Sequence, residues 1–314
     1  MNDINRKLQN EKTVEKEGGQ RIEVLKTYKI YVGGKFPRSE SGRYYKPHNA
    51  SGQPLGNMCL CTRKDFRDAM LTARSAQGGW AGRAAFNRGQ VLYRIAEMLE
   101  GRTEQFVAEL KKQGSTAKQA LSEVETSVDR LIYYAGWCDK YQQVNGSVNP
   151  VATSHFNFSV PEPMGVIAAI APEKSSLLGL VSIIAPVIAG GNSIIILASE
   201  NQPLCAVTFA EVLQTSDVPG GVVNILTGTA KELLPHFSSH MDVNAIIYGR
   251  DDDPALAKEK KEMQLAAVEN LKRVITPADY KDKKAESMHE LLKTQEIKTT
   301  WHPIESVGSA GSGY

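Results

Sequence analysis

The chain has 314 residues, 41% apolar and 23% charged, which supports one large domain or two ordinary ones with a core of their own. The 37 Lys+Arg against 35 Asp+Glu leave a net charge of +2, which excludes strong overall attraction to nucleic acid or to an anionic membrane. The longest apolar run, Leu177 to Ala189, contains Ser182 and Pro186 and falls short of the roughly 20 residues a bilayer span needs. No N-terminal stretch resembles a signal peptide, so a cytoplasmic location is expected, with no nucleic acid and no membrane among the partners.

Residues 1–20 carry many charges and few apolar positions and are expected to form a flexible tail. Tyr28 to Lys35 reads as a short β segment with a turn at Gly33-Gly34. Phe66 to Ala76 reads as a helix that Gly78-Gly79 ends, and Asn87 to Leu99 as a second that Gly101 stops. Phe106, Val107 and Leu110 continue the helical pattern. The strongest helix is expected over Ala120 to Tyr141, where Leu121, Val124, Val128, Leu131, Ile132, Ala135, Cys138 and Tyr141 recur at three- and four-residue spacing. His155 to Val160 then alternates, with Phe156, Phe158 and Val160 on one face, as a half-exposed strand that Pro161 and Pro163 break.

From Val166 the pattern becomes strand, helix, strand. Strands are expected at Val166–Ile170, Ser193–Leu197, Val222–Leu226 and Ala245–Tyr248. Helices fall between them, near Ser175–Ala189, Pro203–Leu213 and Lys231–Phe237, and a last helix spans about Pro254 to Leu271. Continuous β-branched strands separated by helices specify a parallel sheet covered on both faces, an α/β, Rossmann-like doubly wound fold. Ile297 to His302 alternates again as an isolated strand, and residues 305–314 are a Gly/Ser tail. The expected divisions are a tail at 1–20, a helical layer with a β-extension strand at 21–165, a Rossmann-like cofactor-type domain at 166–275, and a linker, strand and tail at 276–314.

The four cysteines, Cys59, Cys61, Cys138 and Cys205, form no zinc-spaced set and read as reduced structural thiols. Cys205 begins a helix, where a thiol pKa can fall, so it is the one cysteine worth weighing as reactive. His236 and His240 have metal-compatible spacing but no supporting ligand nearby and read as surface histidines, so no metal is expected.

Several strings resemble the aldehyde dehydrogenase superfamily. They are Ile30 to Lys35 (IYVGGK), Gly79-Trp80-Ala81 with Arg88 and Tyr93 to Ala96, Gly165 to Pro172 (GVIAAIAP), Gly191 to Glu200 (GNSIIILASE) and, most specifically, Pro219 to Gly228 (PGGVVNILTG). The likeness runs from about residue 28 to 250. Pro172 to Leu178, Asn270 to Lys272 and Thr300 to Pro303 look most like the degenerate C-terminal unit of the two-domain family 16 aldehyde dehydrogenases.

That resemblance implies a thiol nucleophile, oxyanion donors, a hydride-accepting cofactor and a water-activating base. The family's nucleophile lies in a domain after the cofactor domain, and no cysteine follows Cys205 here. Lys174 stands where the family has its oxyanion asparagine. Val268 stands where it has its base, with Glu269 one residue off, on the opposite face if that segment is a strand. Ser199, Glu200 and Gly228 remain of the cofactor-binding set, while Leu197 replaces the ribose-binding lysine. Asp251, Asp252 and Asp253 cap the presumed next helix and would repel a pyrophosphate.

No catalytic residue is therefore expected, and no cofactor, with weak NAD(P) binding left open. The expected function is a non-catalytic assembly or companion subunit of an active aldehyde dehydrogenase. The alternatives are an NAD(P)-dependent aldehyde oxidoreductase completed by a partner chain, or a nucleotide-binding regulatory module. The partner is expected to be the chain itself or a full-length aldehyde dehydrogenase, met through a β extension that presents Phe156, Phe158, Val160, Ile297 and Trp301 on one shared face.

Overall fold

A computed structural model describes residues 24–250 and 256–304. The two tails and Asp251 to Asp253 lie outside the described residues. In chain order the elements begin with β1 (Thr27–Tyr28), β2 (Tyr44–Tyr45), β3 (Asn57–Cys59), α1 (Arg63–Ala81), α2 (Ala85–Glu100), α3 (Thr103–Lys112), α4 (Ala117–Trp137) and α5 (Tyr141–Asn145). They continue with β4 (Ser147–Asn149), β5 (His155–Pro163), β6 (Val166–Ile170), α6 (Leu178–Ala189), β7 (Ser193–Leu197), α7 (Leu204–Gln214), β8 (Val223–Leu226) and α8 (Ala230–Ser239). The last are β9 (Ala245–Tyr248), α9 (Ala257–Val268), β10 (Arg273–Ile275), α10 (Met288–Leu292) and β11 (Gln295–Pro303).

The central sheet is parallel, in the order β10-β9-β6-β7-β8. Every residue of β6, β7 and β9 is buried, and apart from Ser193 these strands are continuously apolar instead of alternating. Their alternation divides two cores. Ile167, Ala169, Ile194 and Ile196 pack with α6, α7 and the α2–α4 layer. Val166, Ala168, Ile170 and Ile195 pack with Phe66 and Met70 of α1, Phe237 of α8 and Met263 of α9. The first strand, β6, sits mid-sheet. The chain winds outward through β7 and β8, then crosses to β9 and β10 on the other side. Strand order thus reverses between β6 and β9, the place where doubly wound folds receive ligands.

Several local expectations change. Gly78-Gly79 does not end α1, which begins on a Thr62/Asp65 capping box and runs to a Gly82 cap. Two glycines in a helix cost about 1 kcal/mol each. The extra turn seats Trp80, which is 1% exposed and donates its indole Nε1–H to Ile188 O at 2.9 Å. α4 stops at Trp137, and Leu121 and Ile132 are exposed, because its buried face is set by Val124, Val128, Leu131 and Tyr134 together with the polar Arg130 and Ser127. The polar stretch after Lys272 supplies a fifth sheet strand, β10, that its short pattern hid.

Pro161 and Pro163 do not break β5, which runs through both. Met164 N–H donates to Thr294 O on the β11 side, whereas Pro161 O faces away and accepts from Gln142 Nε2. In a strand successive N–H groups point to opposite sides, so both prolines lack an N–H only on the side away from β11. There β4 pairs no further than Ser159, and no ladder bond is lost.

β5 pairs antiparallel with β11 across their whole lengths, joining the two alternating segments as expected. β4 adds a third strand that the sequence pattern had not indicated. The expected single aromatic face is not formed. Ile297 and Trp301 pair with Pro161 and Asn157, while Phe156, Phe158 and Val160 pair with His302, Thr300 and Lys298. Directly paired residues share a face, so the two apolar groups lie on opposite sides of the small sheet.

The Gly33-Gly34 turn docks against the main sheet. Tyr31 bridges to Ile225, and a Cβ on Gly34, at φ +76°, would stand 2.9 Å from Gly220 Cα. Only glycine combines that backbone angle with that approach.

Candidate functional site

The loops at the carboxyl edge of the central sheet form the candidate site. The loop after β6 contributes Glu173, the loop after β7 contributes Ser199 and Glu200, and the end of β9 contributes Tyr248 and Arg250. The first turn of α9 contributes Glu259.

Glu173 organises this edge. Its Oε2 accepts from Ser199 Oγ at 3.0 Å, Glu200 N at 3.0 Å, and Asn201 N and Nδ2 at 3.3 Å each. Its Oε1 lies 3.6 Å from Arg250 Nη2. Arg250 Nη1 donates to both oxygens of Glu259, at 3.0 and 3.1 Å, and Tyr248 Oη donates to the same carboxylate at 2.8 Å. One arginine thus ties the β6 loop to α9 across the reversal of strand order. Charge-assisted bonds of this kind are about twice as strong as neutral ones.

The electrostatics follow from this crowding. Burial, and then the neighbouring Glu173, raise the Glu200 carboxyl above its ordinary value, and Arg250 offsets part of the rise. Tyr45, on β2, packs against the Tyr28, Met58, Leu204 and Val207 cluster and is pushed up mainly by burial and further by Glu200 and Glu173. Two clefts flank the network. A polar one of 260 Å³ includes Lys174, Tyr248, Arg250 and Tyr280 in its wall. A mainly apolar one of 470 Å³ lies between α8 and α9, with Leu234, Pro235, Met263 and Glu259 lining it.

The structure thus brings Ser199 and Glu200 together, but with their donors turned to Glu173. As arranged, an internal carboxylate takes the hydroxyl and the amide of that loop. Gly228 has φ +145°, and a Cβ there would stand 3.2 Å from Cys61 N, so its bareness admits the neighbouring chain. Lys174 is exposed on the rim of the polar cleft.

All four thiols are free and buried. Cys205 is 0% exposed, and burial holds its pKa well above the ordinary value despite its place at the start of α7. The first N–H groups of that helix are already taken, Leu204 N by Gln113 Oε1 and Cys205 N by Ser176 Oγ. Burial also raises Cys61 well above its ordinary value and Cys138 to about 12. Val268 and Glu269 stand at the exposed C-terminal end of α9 and not in a strand, so neither faces the crevice from a strand as the sequence comparison assumed. Lys272 is 7% exposed with its Nζ unpartnered, and burial lowers its pKa.

Among the described residues no group of three or more His, Cys, Asp and Glu side chains is placed to hold a metal. His240 instead meets the Phe66 ring edge-on at 5.5 Å, and His236 is shifted down by burial and by Arg63. No helix of the described residues is long and apolar enough to cross a membrane.

Sequence reasoning placed Arg250 at the phosphate-side turn but missed Glu173 and Glu259 as its partners in one network. The available signal was position: residues just past the first and fourth parallel strands must reach the carboxyl edge.

A family model described as the aldehyde dehydrogenase family matches residues 36–249. The putative aldehyde dehydrogenase DhaS of Bacillus subtilis is 28% identical over 253 residues, covering 79% of this chain and 50% of that protein. The human mitochondrial 10-formyltetrahydrofolate dehydrogenase is 30% identical over 262 residues, covering 81% of this chain and 28% of that protein. The NAD+ complex of an aldehyde dehydrogenase from Bacillus cereus superposes with a TM-score of 0.75 at 24% identity, over 80% of this chain and 51% of that one. The chain spans about half, or less, of the curated relatives it matches.

Proposed function

This chain belongs to the aldehyde dehydrogenase family, and from that premise we propose that it serves as a non-catalytic assembly or companion subunit of an active aldehyde dehydrogenase in the cytoplasm. The observation that carries this reading is Glu173. Its carboxylate occupies the hydrogen-bonding groups of the Ser199–Glu200 loop and, with Glu259, neutralises Arg250. The buried, protonated thiols support the reading from the side of the chemistry, since a thiohemiacetal needs an accessible thiolate. The likeness to the degenerate unit of the family 16 enzymes supports it from the side of the sequence.

Assembly is assigned to the three-stranded extension. Its β11 strand shows no neighbour on its outer edge among the described residues. Its two faces expose Ile297 and Trp301 on one side and Phe156 and Val148 on the other. Open strand edges and exposed apolar faces favour pairing with another chain. The partner is a second copy or a full-length aldehyde dehydrogenase.

The test is to purify the chain, assay aldehyde-dependent reduction of NAD and NADP, and measure its mass by light scattering with and without a full-length aldehyde dehydrogenase. The reading expects no reduction by the chain alone and an oligomer or mixed complex. Turnover by the chain alone, or a monomer under both conditions, overturns it.

A second reading, a nucleotide-binding regulatory module, has one observation in its favour. The mainly apolar cleft between α8 and α9, of 470 Å³, reaches the carboxyl edge at Glu259.

A further inference from the structure

We infer that the outer face of the α2/α4 helix pair is a two-fold docking surface for a second copy of this chain, separate from the three-stranded extension. This goes beyond the proposed function. It assigns a further surface, whose residues lie in none of β4, β5 and β11, and it commits to one partner.

Two antiparallel helices build the face. α2 and α4 pack along their lengths, and a Cβ on Gly89, early in α2, would stand 2.9 Å from Ala135 O, late in α4. Their inner sides give Leu92, Ile95, Leu131 and Tyr134 to the core. Their outer sides leave Phe86, Tyr93 and Ile132 exposed. In α2, Phe86, Gln90, Tyr93 and Glu97 recur at four- and three-residue spacing, the seam pattern of a helix that packs on another helix on that side. A cleft of 550 Å³ lies between the two helices, with Phe86, Tyr93, Ile132 and Gly136 in its wall. A Cβ on Gly136 meets no atom within 4 Å, so this glycine leaves an open notch one turn from Ile132.

Charge selects the occupant. Arg94 pairs with Glu97 at 2.7 Å, and Lys140 with Asp139 at 3.3 Å. Among the described residues this leaves Arg83 without a carboxylate at the end of the face where α2 starts. At the other end Glu125 and Asp129, both exposed on α4, are left without a cation. One end of the face is thus basic and the other acidic, with the apolar stripe between them. A two-fold axis crossing both helices beside Gln90 matches this pattern, laying α2 antiparallel on α2 and α4 on α4. Arg83 and Lys140 then meet the acidic end of the other copy, Tyr93 meets the other Phe86, and Ile132 enters the notch at the other Gly136. An axis parallel to the helices sets like charges on like. An isologous contact uses one patch twice, and a patch with opposite charges at its two ends is complementary to itself.

The test measures the mass of the full chain by light scattering over a dilution series. It uses the wild type and a Trp301→Asp, Phe158→Asp background that disables the extension. Into that background go Arg83→Glu with Lys140→Glu, then Glu125→Lys with Asp129→Lys, then all four together, and separately Gly136→Gln, which fills the notch. All these positions are exposed, and circular dichroism with thermal melting establishes that each variant is folded.

The expected result is a dimer in the background protein. Either charge pair alone raises its dissociation constant at least about tenfold, and the four substitutions together bring it back toward the background value. Gly136→Gln weakens the dimer with no change of charge. A background protein that is monomeric at every concentration overturns the inference and leaves assembly through the extension standing. A dimer that is indifferent to charge reversal or to Gly136→Gln overturns it as well, and so does one that the fourfold swap fails to restore.

Discussion

Trp301 and Phe158 lie on opposite faces of one three-stranded sheet: Trp301 pairs with Asn157, and Phe158 pairs with Thr300. The first prediction follows from that register. Trp301→Asp and Phe158→Asp are expected to act independently, because a partner covering one face does not touch the other. If the extension mediates assembly through a face, one single substitution dissociates the complex in light scattering and the other leaves it intact. If assembly proceeds through the β11 edge, a proline at Thr299, which removes an N–H, weakens it more than either aspartate does. In every variant the near-native α/β circular dichroism is retained, since the extension contributes to neither main core.

The thiols are expected to be silent in the folded state. Cys61, Cys138 and Cys205 are buried and held protonated, so a thiol reagent labels them only as the protein unfolds. Cys205→Ser leaves any oxidoreductase activity of a mixed complex unchanged. Cys138→Ala lowers stability by about 1 kcal/mol through lost packing, measured by urea melts.

Glu109 sets a pH dependence. Its Oε1 accepts from Thr208 Oγ1 at 2.7 Å, while its Oε2 is buried without a partner. Burial raises its pKa, partly offset by Thr208, Lys26 and Lys112, while Glu211 adds to the rise. The folded state therefore holds the Glu109 proton more tightly than the unfolded chain does. The associated stability is full below the unfolded value, about 4.3, and is lost as pH rises through the raised folded value. Glu109→Gln is expected to remove that decline and to stabilise the protein at neutral pH by about 1 kcal/mol. Urea midpoints compared across pH 4 to 8 check the sign: a variant whose stability falls with pH as the wild type's does contradicts the assignment.

Arg130 is expected to hold the C-terminal segment onto the helical layer. It is 1% exposed, donates to Tyr280 O at 2.9 Å and to Ser182 Oγ, and lies 4.0 Å from Glu286. Tyr134 Oη adds bonds to Ala285 O and Ser287 O. Arg130→Met keeps much of the volume but removes the donors. A loss of about 2–3 kcal/mol in chemical denaturation is expected, with proteolysis starting near residues 280–287. Unchanged proteolysis there contradicts this role.

Much of the fold is legible in residue order alone. The bounds of β6, β7 and β9 follow from continuous apolar runs ended by turn residues, and Gly101 marks the end of α2. The family resemblance, carried by strings such as Pro219 to Gly228, is likewise a property of the sequence, because strand period and turn chemistry are local.

Tertiary structure decided what local pattern cannot encode. β5 continues through Pro161 and Pro163 because the missing N–H groups fall on the side β4 leaves open, and that is known only once both neighbours are placed. The register of β11, a one-residue matter, put Trp301 and Phe158 on opposite faces when alternation alone had suggested one. The site depended most on the third dimension. Glu173, Ser199, Arg250 and Glu259 come from four separate segments, and nothing in the sequence joins the one residue the resemblance singled out, Ser199, to the two glutamates. They become one network because a parallel sheet delivers every carboxyl end to the same edge, where charges distant along the chain must satisfy one another.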